Sequence, residues 1–392
     1  MRNKIICTLL FLMISFSVIS LSSCSKQNIG KTTEPQVSNT TSTTSRENST
    51  ADISTTGEKT DPQKNFSFKL IDKSRNFAYL DFNKDYKFDS LLKIGVKSNE
   101  ELVKFTLSEY PDMKIDLSQI GYGCSAFLTE SSDNDIIYGR NFDMDAKNTG
   151  AYLVVHTAPE NGYESYSTVN LGFIGIKSIR TYNEEKISKE IDDGTSPLLF
   201  APYIPLDGVN EKGVAISILL LEFPEIHEEG KDGPALTSTT MIRNVLDNAA
   251  TLEEAIEIFE KCILHTDGYA YHYLVSDASG KSAVVEYAEN KLVVEYKKDK
   301  VQTIANTYIS EECKKVYTDK NAADSEKRTS AIENALEEHG YSVSDPEKAM
   351  EILRAGAQNT TRWSVVYNLT KKSISYCLNG NFENIAFSKT FQ

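Results

Sequence analysis

The chain has 392 residues, 40% of them hydrophobic and 10% aromatic, with a formal net charge of −14. That apolar content is enough for a large folded domain, and the acidity argues against nucleic acid or an anionic membrane surface as a partner. The cysteines show no CxxC spacing, His227-Glu228-Glu229 lacks the second histidine of a zinc helix, Gly280-Lys281-Ser282 has Val275 where a P-loop needs its first glycine, and there is no GxSxG elbow; no metal or cofactor is expected.

Met1-Arg2-Asn3-Lys4 precedes an apolar run from Ile5 to Leu21 and then Ser22-Ser23-Cys24. A positive start, a short apolar core and small residues before a cut read as a secretory signal over 1–23, not as a spanning helix. Leu21-Ser22-Ser23-Cys24 resembles a bacterial lipobox, which makes Cys24 the lipidated first residue of an extracytoplasmic protein whose contact with the membrane is its lipid anchor. Residues 24–64 are rich in Ser, Thr, Asn, Lys and Glu, with almost nothing apolar beyond Ile29, Val37 and Ile53. Such a segment cannot offset its ordering entropy and is predicted to be a disordered tether, about forty residues with a root-mean-square reach of roughly 35 Å.

From residue 65 the pattern becomes globular. Phe66 to Leu70 alternates like a strand, and Ser98-Asn99-Glu100-Glu101 is a capping box opening a helix that runs to about Tyr110. Strands follow at Ser125 to Glu130, Ile136 to Arg140, Leu153 to Thr157 and Val214 to Leu220. Tyr271 to Tyr296 reads as three strand-like runs broken at Asp277-Ala278-Ser279-Gly280 and Glu289-Asn290. Helices are predicted over 240–249, 251–264, 327–339 and 345–355, the last with Pro346 in its first turn, and a hairpin over 363–369 and 373–378 closes the chain. Cys262 falls on a helical face with Leu252, Ala255, Ile256 and Phe259 and reads as core, whereas Cys377 reads as a strand residue. Segments 158–205 and 222–238 read as loops. Strand runs interrupted by helix pairs suit a layered α+β domain.

Cys124 stands in Gly121-Tyr122-Gly123-Cys124-Ser125-Ala126, ahead of Tyr138-Gly139-Arg140-Asn141-Phe142-Asp143. A cysteine thiol titrates at about 8.5 and an α-amine at roughly 7.7–8.0, so a chain that began at Cys124 would hold a nucleophile and a base poised near neutrality. An internal cysteine has its nitrogen in an amide, which cannot shuttle a proton, so the uncut chain is expected to be inactive. Arg140 would favour the thiolate, and Asp143 would orient the ammonium that forms. Taken alone, Cys124 reads equally as a small buried hydrophobe.

The pattern around Cys124 resembles the start of a mature cysteine N-terminal-nucleophile hydrolase. The choloylglycine hydrolase group (bile salt hydrolases and penicillin V acylases), with its precursor-processed relatives acid ceramidase, N-acylethanolamine acid amidase and isopenicillin N acyltransferase, also resembles four later stretches. These are Asp207-Gly208-Val209-Asn210-Glu211-Lys212-Gly213-Val214, the hairpin Ser276 to Glu286, Ile304-Ala305-Asn306-Thr307, and Ser325-Glu326-Lys327-Arg328. Together the stretches span most of 120–380. The resemblance implies a four-layer αββα sandwich, Cys124 as nucleophile, Arg140, Asp143 and Arg328 around it, and Asn306 donating to the oxyanion. Standing alone, Asn306 reads as a turn asparagine, Arg328 as a solvated residue near a helix start, and Asn210 as a turn former. Leu220-Leu221-Glu222-Phe223-Pro224 departs from the bile salt hydrolase pattern, and Glu222 takes the place of an asparagine that contacts substrate there.

The expectation is a surface-anchored amidohydrolase, self-processed before Cys124: signal 1–23, tether 24–64, a segment 65–123 cleaved from the nucleophile but still attached to the domain, and a catalytic domain 124–392. It would hydrolyse small N-acyl amides at non-peptide C–N bonds through a thioester. Interception of that acyl-enzyme by an amine would make it an acyltransferase, and the rival from another class is a non-catalytic binding lipoprotein on the same scaffold. Oligomeric state, and the acyl and amine parts of the substrate, do not follow from the sequence.

Overall fold

The computed structural model describes residues 66–115, 123–145, 150–221, 224–318, 320 and 322–391. The signal, the tether with Cys24, and Glu222 lie outside the described residues. In chain order come β1 (Phe66–Asp72), β2 (Phe77–Phe82), α1 (Phe88–Ile94), α2 (Asn99–Glu109), β3 (Gly123–Glu130), β4 (Ile136–Asp143), β5 (Tyr152–Thr157) and β6 (Ser165–Asn170). Then follow α3 (Glu184–Asp192), β7 (Asp207–Asn210), β8 (Ala215–Leu221), β9 (Ala235–Thr237), α4 (Ser238–Asn248), α5 (Leu252–Lys261) and β10 (Ile263–His265). The last part holds β11 (Ala270–Ser276), β12 (Ser282–Ala288), β13 (Lys291–Tyr296), β14 (Val301–Ile304), α6 (Glu311–Val316), α7 (Ala322–Glu338), α8 (Pro346–Ala355), β15 (Thr361–Asn368), β16 (Ser373–Leu378) and β17 (Phe387–Thr390).

Among the described residues two large sheets stack face to face. One has the order β1-β2-β5-β6-β7-β8-β11-β12-β13 and the other β14-β3-β4-β15-β16-β17. Helices α4 and α5 pack on the first through β7, β8 and β11, and α7 and α8 on the second through β14, β3, β4 and β15. The layers are therefore helix, sheet, sheet, helix, the four-layer αββα sandwich that the resemblance implies.

Side-chain alternation assigns each strand residue to a layer. On β3, Cys124, Ala126 and Leu128 enter the core shared by the sheets, while Phe127 joins a second cluster with Ile332, Leu336, Ala349 and Leu353 beneath α7 and α8. Packing under those helices demands a glycine in β4. A Cβ on Gly139 would lie 2.3 Å from the Phe127 ring, so a larger residue would displace that ring from its place beneath α7 and α8.

The segment 66–115 is part of the body. β2 pairs in parallel with β5 over Phe77 to Phe82, and Phe77, Leu80, Phe82, Tyr86 and Leu91 are buried in the main core. Tyr86 Oη donates to Asp247 Oδ2 at 2.7 Å, and Asp81 Oδ1 lies 2.7 Å from His156 Nδ1. Asn210 shapes its turn, as read from the sequence. Its Oδ1 accepts from the Lys212 and Val214 N–H groups, and its Nδ2 donates to the Leu246 and Ala249 carbonyls.

Three expectations are corrected. The helix expected over 251–264 stops at Lys261, because Ile263–His265 pairs in parallel with Ala235–Thr237. Segment 158–205 is not loop: it holds β6, α3 and a 3-10 helix, Pro197–Tyr203, whose Leu198, Leu199, Phe200 and Tyr203 are buried. Helix α7 starts at Ala322, earlier than expected, which carries Arg328 into its second turn and inward.

Candidate active site

The β3–β4 hairpin sets Gly123 opposite Asp143, Cys124 opposite Phe142 and Ala126 opposite Arg140. Cys124 and Arg140 therefore share the face between the sheets, and Asp143 ends its strand with the other parity. Cys124 is fully buried.

Arg140 is also fully buried and bridges the sheets. Its Nη2 donates to Cys124 Sγ at 3.1 Å and to the Ile218 carbonyl at 2.7 Å, and its Nη1 is ion-paired with Asp207 Oδ2. Asp207 in turn accepts from Tyr367 Oη at 2.8 Å and Trp363 Nε1 at 3.1 Å. A buried guanidinium needs such a partner. Arg140 pulls toward the thiolate, as expected, but burial is the larger effect. Burial pushes the Cys124 thiol up to about 11, outweighing the pull of Arg140 and Arg328, so in this uncut chain the sulfur keeps its proton at neutral pH.

Asn306, just beyond β14, faces the backbone of Cys124. Its Oδ1 accepts from the Cys124 N–H at 2.8 Å and from Arg328 Nη2 at 3.0 Å, and its Nδ2 donates to the Leu220 carbonyl at 2.8 Å. These three partners fix which end of the amide is oxygen. Of the two hydrogens on the Nδ2 that the resemblance assigns to an oxyanion, one is thus given to Leu220.

Arg328 is buried, not solvated. Its Nη1 donates to the Cys124 carbonyl at 2.6 Å, its Nε donates to Asp324 Oδ2 at 2.9 Å, and Asp143 Oδ2 lies 3.7 Å from Nη1. Asp143 Oδ1 accepts from Thr361 Oγ1 at 2.5 Å, while its buried Oδ2 has no hydrogen-bond partner among the described residues. Burial raises the Asp143 pKa, with the Thr361 bond and the two arginines acting against that rise.

Cys124, Arg140, Asp143, Asn306 and Arg328 are therefore one cluster, drawn from β3, β4, the end of β14 and α7. Glu222 cannot be compared with it. The sequence reading missed Asp207 and Thr361. Asp207 lay within a quoted stretch without a role, and nothing local marked Thr361. A cavity of about 860 Å³ is lined by Asp89, Leu92, Lys93, residues 230–234 and Cys262 and touches none of the cluster. A cavity of about 290 Å³ adjoins the Asn306 loop, lined by Ala305, Thr307 and Tyr308 with Glu326 and Thr329 of α7. Among the described residues no His, Cys, Asp and Glu group is arranged to hold a metal.

A buried cysteine at the start of an inner strand, within two stacked sheets flanked by helices, is the arrangement that the resemblance implies. The resemblance to the choloylglycine hydrolase and linear amide C–N hydrolase family is borne out by comparison with known proteins. Residues 205–381 match the family model described as Acyl-coenzyme A:6-aminopenicillanic acid acyl-transferase, a stretch that includes Asp207, Asn306, Arg328 and Thr361. A penicillin V acylase from Pectobacterium atrosepticum is 38% identical over 115 residues, which is 26% of this chain and 30% of that protein. Two solved structures are similar. The penicillin V acylase from Agrobacterium tumefaciens has a TM-score of 0.44 and 19% identity, over 65% of this chain and 83% of its own. A mutant conjugated bile acid hydrolase from Clostridium perfringens has a TM-score of 0.45 and 15% identity, over 69% and 96%.

Proposed function

We propose that this chain is the precursor of an N-terminal-cysteine amidohydrolase acting on small N-acyl amides. The observation that carries the reading is the convergence of Arg140 on Cys124 Sγ and of Asn306 Oδ1 on the Cys124 nitrogen, so that both atoms needed for catalysis are already held. In the precursor the thiol would attack the Gly123 carbonyl carbon. The S–C bond forms, the C–N bond breaks, and the thiol proton goes to the departing nitrogen, which becomes the α-amine. Water then cleaves the thioester, leaving Gly123 as a carboxylate and restoring the thiol.

The freed amine inherits the contact with Asn306 Oδ1 and lies within the field of Asp143 and can act as base. It takes the thiol proton as sulfur attacks a substrate amide and gives it to the leaving amine, after which water hydrolyses the acyl thioester. Asn306 Nδ2 and backbone N–H groups would hold the oxyanion. If an amine instead of water accepts the acyl group, the product is a new amide, and the family model's description as an acyl-transferase favours keeping that outcome open to test. The signal and Cys24 support a lipid-anchored, extracytoplasmic setting in a bacterium.

The test is to incubate the cut protein with a panel of N-acyl amides and look for an acyl thioester on the Cys124 peptide by mass spectrometry, with release of the amine. No adduct from any amide, together with a Cys124 inert to thiol probes in the cut form, would overturn the reading in favour of a binding lipoprotein.

A further inference from the structure

The loop that carries Asn306 is gripped by two buried ionisable side chains that the chemistry above does not use. His272 on β11 and Glu286 on β12 are each fully buried, and the β11–β12 register brings them side by side, Nδ1 3.1 Å from Oε1. His272 Nε2 lies 2.7 Å from the carbonyl of Ala305, the residue before Asn306. Glu286 takes the other end of the loop. Its Oε1 accepts from the Ile309 N–H at 2.8 Å, and its Oε2 accepts from the Ser310 N–H at 2.9 Å and hydroxyl at 2.6 Å.

The hydrogen-bond inventory leaves little freedom. The Ala305 carbonyl can only accept, and the Ser310 hydroxyl, which accepts from Cys313 N–H at 3.3 Å, spends its hydrogen on Glu286. Nε2 of His272 therefore donates to Ala305, and Nδ1 faces a carboxyl group that three other donors already hold in place. The result is a buried hydrogen-bonded pair clamping residues 305 and 309–310, with Asn306 suspended between them and reaching Cys124.

We infer that the His272–Glu286 pair positions Asn306 against Cys124, His272 acting as a positioning residue that never touches substrate. The inference rests on the hydrolase reading above. Two substitutions separate its two bonds. In His272→Gln the side-chain NH2 takes the place of Nε2 and keeps the Ala305 carbonyl; in His272→Asn it takes the place of Nδ1 and keeps only Glu286. Misplacing a group by about 1 Å costs roughly 100-fold in rate, so kcat for amide hydrolysis is expected to fall about that far in His272→Asn with KM little changed. His272→Gln should stay within about tenfold of wild type, the worth of one hydrogen bond.

The deciding readout is a double-mutant cycle with Asn306→Ala. If His272 works through Asn306, adding His272→Asn to Asn306→Ala lowers kcat less than about twofold further. An equal loss in both backgrounds, or wild-type kcat in a folded His272→Asn protein, would overturn the inference. Should His272→Asn not fold, His272→Gln decides alone: a folded His272→Gln protein whose kcat falls well beyond tenfold, equally with and without Asn306→Ala, would overturn the inference. A wild-type protein that neither cuts itself nor releases amine from any amide condemns the hydrolase reading instead, so the two failures are distinct.

Discussion

Asn306 meets Cys124 through its carbonyl oxygen, which accepts the Cys124 N–H at 2.8 Å while the other end of the amide is bonded to Leu220. One side chain thus has an acceptor for the nitrogen that is to become the base and a donor held in reserve. The two halves can be separated by mutation. Asn306→Asp keeps the acceptor and loses the donor, so self-cleavage should persist while amide turnover falls about 100-fold, the size of a lost oxyanion donor. Asn306→Ala loses both, and both rates should fall. Single-turnover cleavage and steady-state hydrolysis on the same preparations check this.

Burial, not the arginine, governs the sulfur of the uncut chain. With Cys124 fully buried and its thiol held near 11, a haloacetamide at pH 8 should leave it unmodified in the uncut form and label it once the chain is cut. Peptide mapping distinguishes it from Cys262, Cys313 and Cys377, which are also buried and should stay dark in both forms. Labelling of Cys124 in the uncut chain at the cut-chain rate would count against a sealed precursor.

Asp207 balances Arg140 in the middle of the sandwich and accepts from Trp363 and Tyr367 as well. Removing one member of a buried pair strands the other charge, so Asp207→Ala should destabilise the fold by about 3–5 kcal/mol. Urea unfolding of Cys124→Ala proteins with and without the change measures it free of processing. A loss below 1 kcal/mol would mean that Arg140 finds another counter-charge.

His156 ties together the two sides of the proposed cut, between Asp81 of the leading segment and Glu164, at 2.7 and 2.8 Å. Burial lowers its pKa, but the bonds to Asp81 and Glu164 outweigh that and raise it to about 8. A folded-state value above the unfolded one stabilises fully below about 6.5 and loses that contribution as pH rises through about 8, a change of roughly 2 kcal/mol. The cut protein should therefore keep its leading fragment in mild urea at pH 6 and shed it more readily at pH 9, with the difference abolished in His156→Gln. Size-exclusion chromatography of the fragments reads this directly.

The sequence carried most of the sandwich because its signals are local. The Ser98 cap read from the sequence is present and accepts from Glu101 N–H, and in the structure Thr251 and Asp345 cap their helices in the same way. What escaped depends on distant partners. Helix α3 offers only Ile187 and Ile191 to the core and is tied down by a bond from Leu70 N–H to Glu184. The turn from α5 into β10 is dictated by β9. The five site residues were legible through the resemblance and converge as a cluster. Asp207 and Thr361 were not, since no spacing tells a buried counter-ion from the other carboxylates, or one threonine from its neighbours.

The central claim is that the chain becomes an enzyme by cutting itself before Cys124. The most direct test is the intact mass of a soluble protein spanning residues 65–392, incubated at neutral and mildly acidic pH beside its Cys124→Ala counterpart. The account predicts two fragments meeting between Gly123 and Cys124 in the wild type and a single chain in the alanine protein. A wild type that stays whole at both pH values, or an alanine protein cut at the same bond, would contradict it.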